Sequence, residues 1–410
     1  MTRRFDQTAA RPHAIRGLLI GVWALGLCGC SVADPLADAF TVRDSAGVRI
    51  MESAGPVWAE GGQWALTSEP VLTIGVAEGA PELEFQTILG LTRLANGNIV
   101  VGNRGTRELR FFAPDGRFLR AAGRDGEGPG EFRTFNGVYR YRADSLIVWD
   151  YRLHRWSVLD TTGEFARLFA PSRPGMNPRS LAPLRDGSLI IADRWIESRE
   201  LRSVDHQRLF RFSPEGVLLD SLGSYRAGES FRPSNGASIS MERIFGPELV
   251  HAAFDDGYHL GMAEEYEVLS FDAEGTLLRR VRWAGPDRAV SEADVDAFRA
   301  RFRERETTSE LAMQFARFVV EVPAADRFPA YNALEVDAAG NLWLAEYARP
   351  RAEGPRAWTV LDAEGRWLGE VEMPRDLEVW EIGEDYVLGV ARDELGVVRV
   401  RMYGLAKPDL

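Results

Sequence analysis

The feature that most constrains this chain is a pair of β-hairpins that recurs along its length. In the first copy "LTRLANGNIVVGN" is followed by "ELRFFAPDGRFLRAAG". Residues 91–94 turn at Asn96-Gly97 into 99–101, and residues 109–112 turn at Asp115-Gly116 into 118–121. Asn-Gly and Asp-Gly between alternating apolar residues are strong short-range hairpin signals, because glycine accepts the left-handed backbone that a tight turn needs. Four further copies and a shorter last one follow. The second-hairpin glycines fall at Gly116, Gly163, Gly216, Gly275 and Gly365, with spacings of 47, 53, 59 and 90. A constant core with variable insertions explains that series.

Four antiparallel strands per unit of roughly 40–50 residues describe a propeller blade. The expected fold is therefore all-β: a six-bladed β-propeller of four-stranded antiparallel blades over residues 41–405. The last unit, "VWEIGEDYVLGV" with "VVRVRMYGL", supplies only three strands. The missing fourth is expected upstream, in "VLTI" at about 71–75, which would close the ring and remove its open sheet edge. Residues 286–326 form the largest insertion. Ser291 with Asp294 reads as an N-terminal capping pair, and Phe298 with Phe302, then Leu311, Phe315 and Phe318, form apolar stripes. Two amphipathic helices are expected within about 286–322.

The Gly-rich stretch "GRDGEGPGEF", 123–132, superficially suggests a nucleotide-binding loop. A phosphate cradle needs free backbone amides at a helix start and no competing negative charge. This segment carries Asp125, Glu127 and Glu131 and follows an outer strand. It reads as a blade-to-blade connector, with Phe132 plugging the gap, and is echoed in "GVAEGAPELEF" and "GSYRAGESF". This connector, together with the hairpin pattern and "VRDSAGVRIMES" at 42–53, resembles bacterial six-bladed β-propeller lipoproteins of the NHL-repeat type. The resemblance implies the architecture and leaves the activity open.

Residues 1–29 read as a lipoprotein signal peptide. Arg3, Arg4, Arg11 and Arg16 precede the apolar run "GLLIGVWALGLCGC", too short for a confident membrane span. It ends in "LCGCS", which resembles a lipobox with Cys30 as the acylated residue. Residues 30–40 then form a tether. Cys28 and Cys30 are the only cysteines, so a processed chain would have no disulfide, Cys metal site or Cys nucleophile. The expected location is extracytoplasmic and lipid-anchored, at the outer membrane by virtue of Ser31 after the cysteine. The formal net charge is −12, which repels phosphate backbones and argues against nucleic-acid partners.

In a propeller the first-to-second and third-to-fourth turns share one face, and the remaining loops share the other. That second face receives 150–155, 193–207, 224–247, 286–326 and 346–357, all read as loops or insertions, and is where function is expected. Asp150, Tyr151, Arg152, His154, Asp193, Arg194, Trp195, Glu346 and Tyr347 are the candidate ligand-binding residues, with Trp195 and Tyr151 placed for stacking. Asn103, Asp150, Asp193 and Glu346 stand at second-strand ends, where an acid or amide more often caps the next loop than binds metal. His154, His206, His251 and His259 are scattered. No catalytic motif is present, and no cofactor is called for beyond a possible divalent cation in the central channel.

The expected function is binding rather than catalysis. A peptide, glycan or protein partner would sit on the loop-rich face beneath the helices. The alternative is a divalent-metal-dependent hydrolase or lyase of the gluconolactonase or paraoxonase type, working at the central channel. "GPVW" at 55–58 resembles a gluconolactonase metal motif, but Ala54 stands where its Glu would be.

Overall fold

The computed structural model describes residues 40–58, 62–173, 175–176, 178–234, 238–303 and 309–408. The stretch read as a signal peptide, Cys30 and nearly all of the expected tether lie outside them. The chain forms a β-propeller of six sheets. The innermost strands neighbour one another in order, and that of the sixth sheet returns to that of the first. We number the sheets as blades in chain order.

Blade 1 shows how local sequence makes each unit. Its strands are Ile88–Arg93, Ile99–Asn103, Glu108–Phe112 and Phe118–Ala122. The first pair turns at Gly97, whose φ of +85° is open to glycine, while the Asn96 side chain accepts from the amide of Asn98 at 3.0 Å. Blade 2 repeats this with Phe135–Arg140, Leu146–Asp150, Arg155–Leu159 and Phe165–Phe169. Blade 5 uses Tyr331–Val336, Leu342–Glu346, Arg356–Leu361 and Trp367–Met373. Apolar side chains fill the wedges between blades, among them the buried Trp149, Trp156, Trp343 and Trp358.

Closure follows the sequence expectation. Blade 6 contributes Leu377–Ile382, Tyr386–Arg392 and Val398–Ala406, and Leu72–Ile74 supplies its fourth strand, antiparallel to the last. Ala65–Leu66 pairs further along the same strand. A second N-terminal attachment had no counterpart in the sequence reading. The hairpin Phe40–Ser45 and Val48–Ser53 docks on the outer edge of blade 4, with its second strand parallel to Leu277–Trp283.

Blade 3 departs from the expectation. Residues 193–207, read as a loop, are the far halves of two long strands, Leu189–Arg199 and Arg202–Phe212. They pair without a break to Arg199 opposite Arg202, so a two-stranded ribbon rises from the loop-rich face. The next strand, Leu218–Phe231, pairs along that ribbon. "GSYRAGESF" therefore lies in a strand and is not a connector. The true connector, 123–132, behaves as expected. Phe132 is fully buried against Phe135, with ring centroids 5.6 Å apart. The Arg155 guanidinium donates to the carbonyls of Glu127, Gly128 and Glu131, and Glu131 accepts from the amide of Gly128 at 2.8 Å.

The insertion holds helices α1 (Glu292–Arg303) and α2 (Glu310–Phe318). The Ser291 hydroxyl donates to Asp294 at 2.6 Å and accepts from its amide at 3.3 Å, a reciprocal cap. That bond first, and the donated Ser291 amide second, hold the Asp294 carboxyl below its ordinary range. Phe298, Phe302, Phe315 and Phe318 pack with Ile239, Ile244, Phe245 and Phe328 into a small core of their own. Leu311, expected on the same stripe, is 55% exposed.

Candidate functional site

Of the candidates read at second-strand ends, Asp150 and Asn103 are held by their own loops, whereas Asp193 lies mid-strand in Leu189–Arg199. Asp150 is fully buried at the end of its strand. Its carboxylate accepts from the amides of Arg133 at 2.7 Å, Thr134 at 3.3 Å, and Arg152 and Leu153 at 3.0 Å each. Four amides around one carboxylate fix both the incoming connector and the outgoing loop. Asp193, also fully buried, takes the Arg208 guanidinium at 2.5 Å. The Asn103 amide donates to the hydroxyl of Thr106 at 3.1 Å. In all three the side chain ties together strands or loops of its own blade. Among the described residues, no group of three or more His, Cys, Asp or Glu side chains is placed to hold a metal ion.

The other candidates are dispersed. Tyr151 and His154 are exposed at the rim of blade 2, with rings 5.9 Å apart. Arg152 is exposed beside them. Glu346 is half-buried between blades 4 and 5. Tyr347 joins the core under the helices, its ring stacked on Phe328 at 5.7 Å. The expected Arg194–Trp195 pair is divided by strand alternation. Trp195 stands opposite His206 in the ribbon, with rings 4.9 Å apart, on one face. Arg194 faces the other way, into a cleft.

That cleft, of about 280 Å³, lies between the foot of the ribbon and the start of blade 4. Arg194 forms an ion pair with Asp205 across the two ribbon strands. Glu229, on the third strand, is buried and takes three arginines: Arg202, Arg226, and Arg243 at 3.4 Å. Burial pushes the Glu229 carboxyl up, but these guanidinium groups outweigh it and hold it below its ordinary value.

Two acids in the cleft lack such support. Glu248 is pushed up to about 7, by burial first, then by the charge and hydrogen bond of Glu242, and lastly by Asp205. A second carboxylate at hydrogen-bond distance disfavours the charged form of Glu248. Beside them, Asp205 Oδ1 and Gln207 Oε1 are buried acceptors that meet no donor within the described protein. Desolvated acceptors without a donor are unfavourable by about 1–3 kcal/mol each. Sequence reasoning missed Asp205, Gln207, Glu229, Glu242 and Glu248 because they come together only once the ribbon has formed.

On the tight-turn face the central channel widens to a cavity of about 670 Å³. Glu381 is anchored there by the Thr92 hydroxyl at 2.6 Å, the Arg93 amide at 3.1 Å and the hydroxyl of Tyr386. Burial, and secondarily Glu381, push the Glu335 carboxyl up to about 8. An acid raised in the folded state leaves stability intact below its unfolded value and removes it as pH climbs through the folded value. Glu335→Gln should therefore raise the melting temperature at pH 8.5 and leave it unchanged at pH 4.5. Equal shifts at both pH values in thermal unfolding would contradict that reading. His251, in the same wall, is pushed down to about 4 by burial and is neutral.

No protein-family model matches the chain, and no curated protein matches it. Similar solved structures include a protein from Bacteroides fragilis described as exported, at 10% identity and a TM-score of 0.49, covering 88% of this chain and 99% of that one. A member of the DUF4221 family from Bacteroides vulgatus has 10% identity and a TM-score of 0.47, with 84% and 99% covered. A gluconolactonase from Xanthomonas campestris has 15% identity and a TM-score of 0.41, with 79% and 87% covered. Identities and scores this low carry no activity across.

Proposed function

We propose that the protein is a lipid-anchored, extracytoplasmic propeller of the cell envelope. Its loop-rich face binds a peptide or protein partner by seating a basic group in the cleft between blades 3 and 4. The observation that carries this reading is an excess of buried unpaired acceptors over donors there, with Arg243 Nε the one buried unpaired donor in the lining among the described residues. Asp205 Oδ1 and Gln207 Oε1 lack donors, and Glu242 and Glu248 crowd one another. A guanidinium supplies several N–H groups and a positive charge at once. The fixed Arg194–Asp205 and Arg243–Glu229 pairs hold the walls in place for it.

A capped five-residue peptide with one central Arg, titrated calorimetrically against its citrulline twin, tests the reading. The Arg peptide is expected to bind at least tenfold tighter, about 1.4 kcal/mol. Glu242→Gln with Glu248→Gln should remove most of that difference. Affinity should also fall from pH 8 to pH 6, as Glu248 takes up its proton. Equal binding of the two peptides would sink the idea.

The anchor rests on the "LCGCS" motif alone. Cys30→Ser should move the protein from the membrane to the soluble fraction. Continued incorporation of labelled palmitate would show that acylation is elsewhere.

A further inference from the structure

A further, smaller cavity lies apart from both the cleft and the channel, between blades 4 and 5. It encloses about 100 Å³ and is walled by Tyr266, Trp283, Tyr331 and Trp367, with the carboxylates of Glu346 and Glu370. The rings are braced. Trp283 stacks on Tyr331, centroids 5.8 Å apart, and meets Tyr266 steeply at 5.7 Å and 61°. Tyr331 donates its hydroxyl to the carbonyl of Glu267, Tyr266 to that of Pro286 at 3.2 Å, and the Trp367 indole to that of Gly369 at 3.2 Å. Gly285 completes the wall. A Cβ there would come within 2.2 Å of the Tyr266 ring, so only glycine leaves the space open.

The charges around this pocket are unevenly matched. Glu346 has Arg349 at 4.0 Å, the outer limit of an ion pair. Its backbone carbonyl, not its carboxylate, takes Arg356 at 2.7 Å. Arg288 covers a face of Tyr266 at 5.0 Å but is itself held by the carbonyls of Phe328 and Glu264 and by Glu265 at 3.0 Å. Burial, then Glu346 and Glu372, raise the Glu370 carboxyl above its ordinary value.

The partly exposed Tyr266 and Trp367 rings, backed by the buried Trp283 and Tyr331, together with Glu346 and Glu370, attract a cation. A metal ion needs several convergent oxygen ligands, and no group of three or more His, Cys, Asp or Glu is placed to hold one among the described residues. An ammonium needs an acceptor for each N–H. A peptide or sugar is too large for the space. What remains is a compact cation with no N–H groups to satisfy. We propose that this pocket binds a trimethylammonium head group, such as that of choline, glycine betaine or a phosphocholine lipid, through its aromatic walls and Glu346 and Glu370.

The detergent-solubilised full chain, titrated with choline and with 3,3-dimethylbutan-1-ol, its uncharged isostere, tests the assignment. Choline is expected to bind saturably, at least tenfold tighter than the alcohol, with a change in tryptophan fluorescence. Glu370→Gln and Trp367→Leu should each weaken choline about tenfold while leaving Arg-peptide binding in the cleft unchanged. Lowering the pH should weaken choline as Glu370 protonates. Displacement of choline by phosphocholine-lipid vesicles, but not by phosphoglycerol-lipid vesicles, would identify a lipid source; no displacement by either would identify a free small molecule. If the alcohol binds as well as choline, or both variants bind choline normally, the proposal is overturned.

Discussion

Deleting residues 51–76 is expected to abolish cooperative unfolding of the propeller. The segment carries the buried Met51, Trp58, Trp64 and Ile74, and it is attached to three different blades. Burying each such side chain contributes about 1.5–3 kcal/mol, or roughly 6–12 kcal/mol together. That is comparable to the whole net stability of an ordinary domain, about 5–15 kcal/mol. The deletion also strips the amide and carbonyl partners from Val398–Ala406, exposing an unpaired edge in the last blade. Circular dichroism against temperature should show a broad, low-temperature loss of structure in place of a single transition. Ile74→Ala is the milder version and is expected to lower stability by about 2–5 kcal/mol while keeping the transition cooperative. A deletion variant that melts at the wild-type temperature would refute the closure.

Asp150→Ala is expected to destabilise the fold by about 3–5 kcal/mol, an effect large for a residue that could pass for a ligand-binding acid. Its carboxylate serves the part-buried amides of Arg133, Thr134, Arg152 and Leu153, all of which would lose their acceptor at once. Asp150→Asn should recover part of the loss, since the amide oxygen can still accept while its NH₂ group faces other donors. In urea unfolding the midpoint should fall in the order wild type, Asn, Ala. Binding of the Arg peptide should persist in both variants under conditions where they are folded. Wild-type stability with lost binding would instead make Asp150 a ligand-contacting residue.

What the sequence discloses is local. Asn96-Gly97 and Asp115-Gly116 announce their hairpins because the turn residues are neighbours, and Ser291 with Asp294 announces α1 for the same reason. The closing strand was legible because a three-stranded last unit leaves an obvious vacancy in the count. The ribbon of blade 3 was not. Its distal stretch, "RWIESRELRS", has solvent on both faces over most of its length and no apolar alternation to mark it as strand. The docking of Phe40–Ser53 on blade 4 was equally hidden, since a parallel edge pairing leaves no local signature. The cleft inherits both difficulties. Asp205 and Glu248 are 43 positions apart in the chain, and only the ribbon brings them to one surface.

The closing strand also sets a timetable. Leu72–Ile74 meets its partner at Val400–Met402, so more than three hundred residues separate the two halves of one sheet. During synthesis or translocation the early strand is complete long before the late one exists. Contacts so distant in sequence slow folding, and the waiting edge can pair with other chains in the interval. The blades can form one by one, but the ring is finished in a single late event. Refolding from denaturant should therefore show a slow final phase that Ile74→Ala slows further only if that strand has joined the transition state.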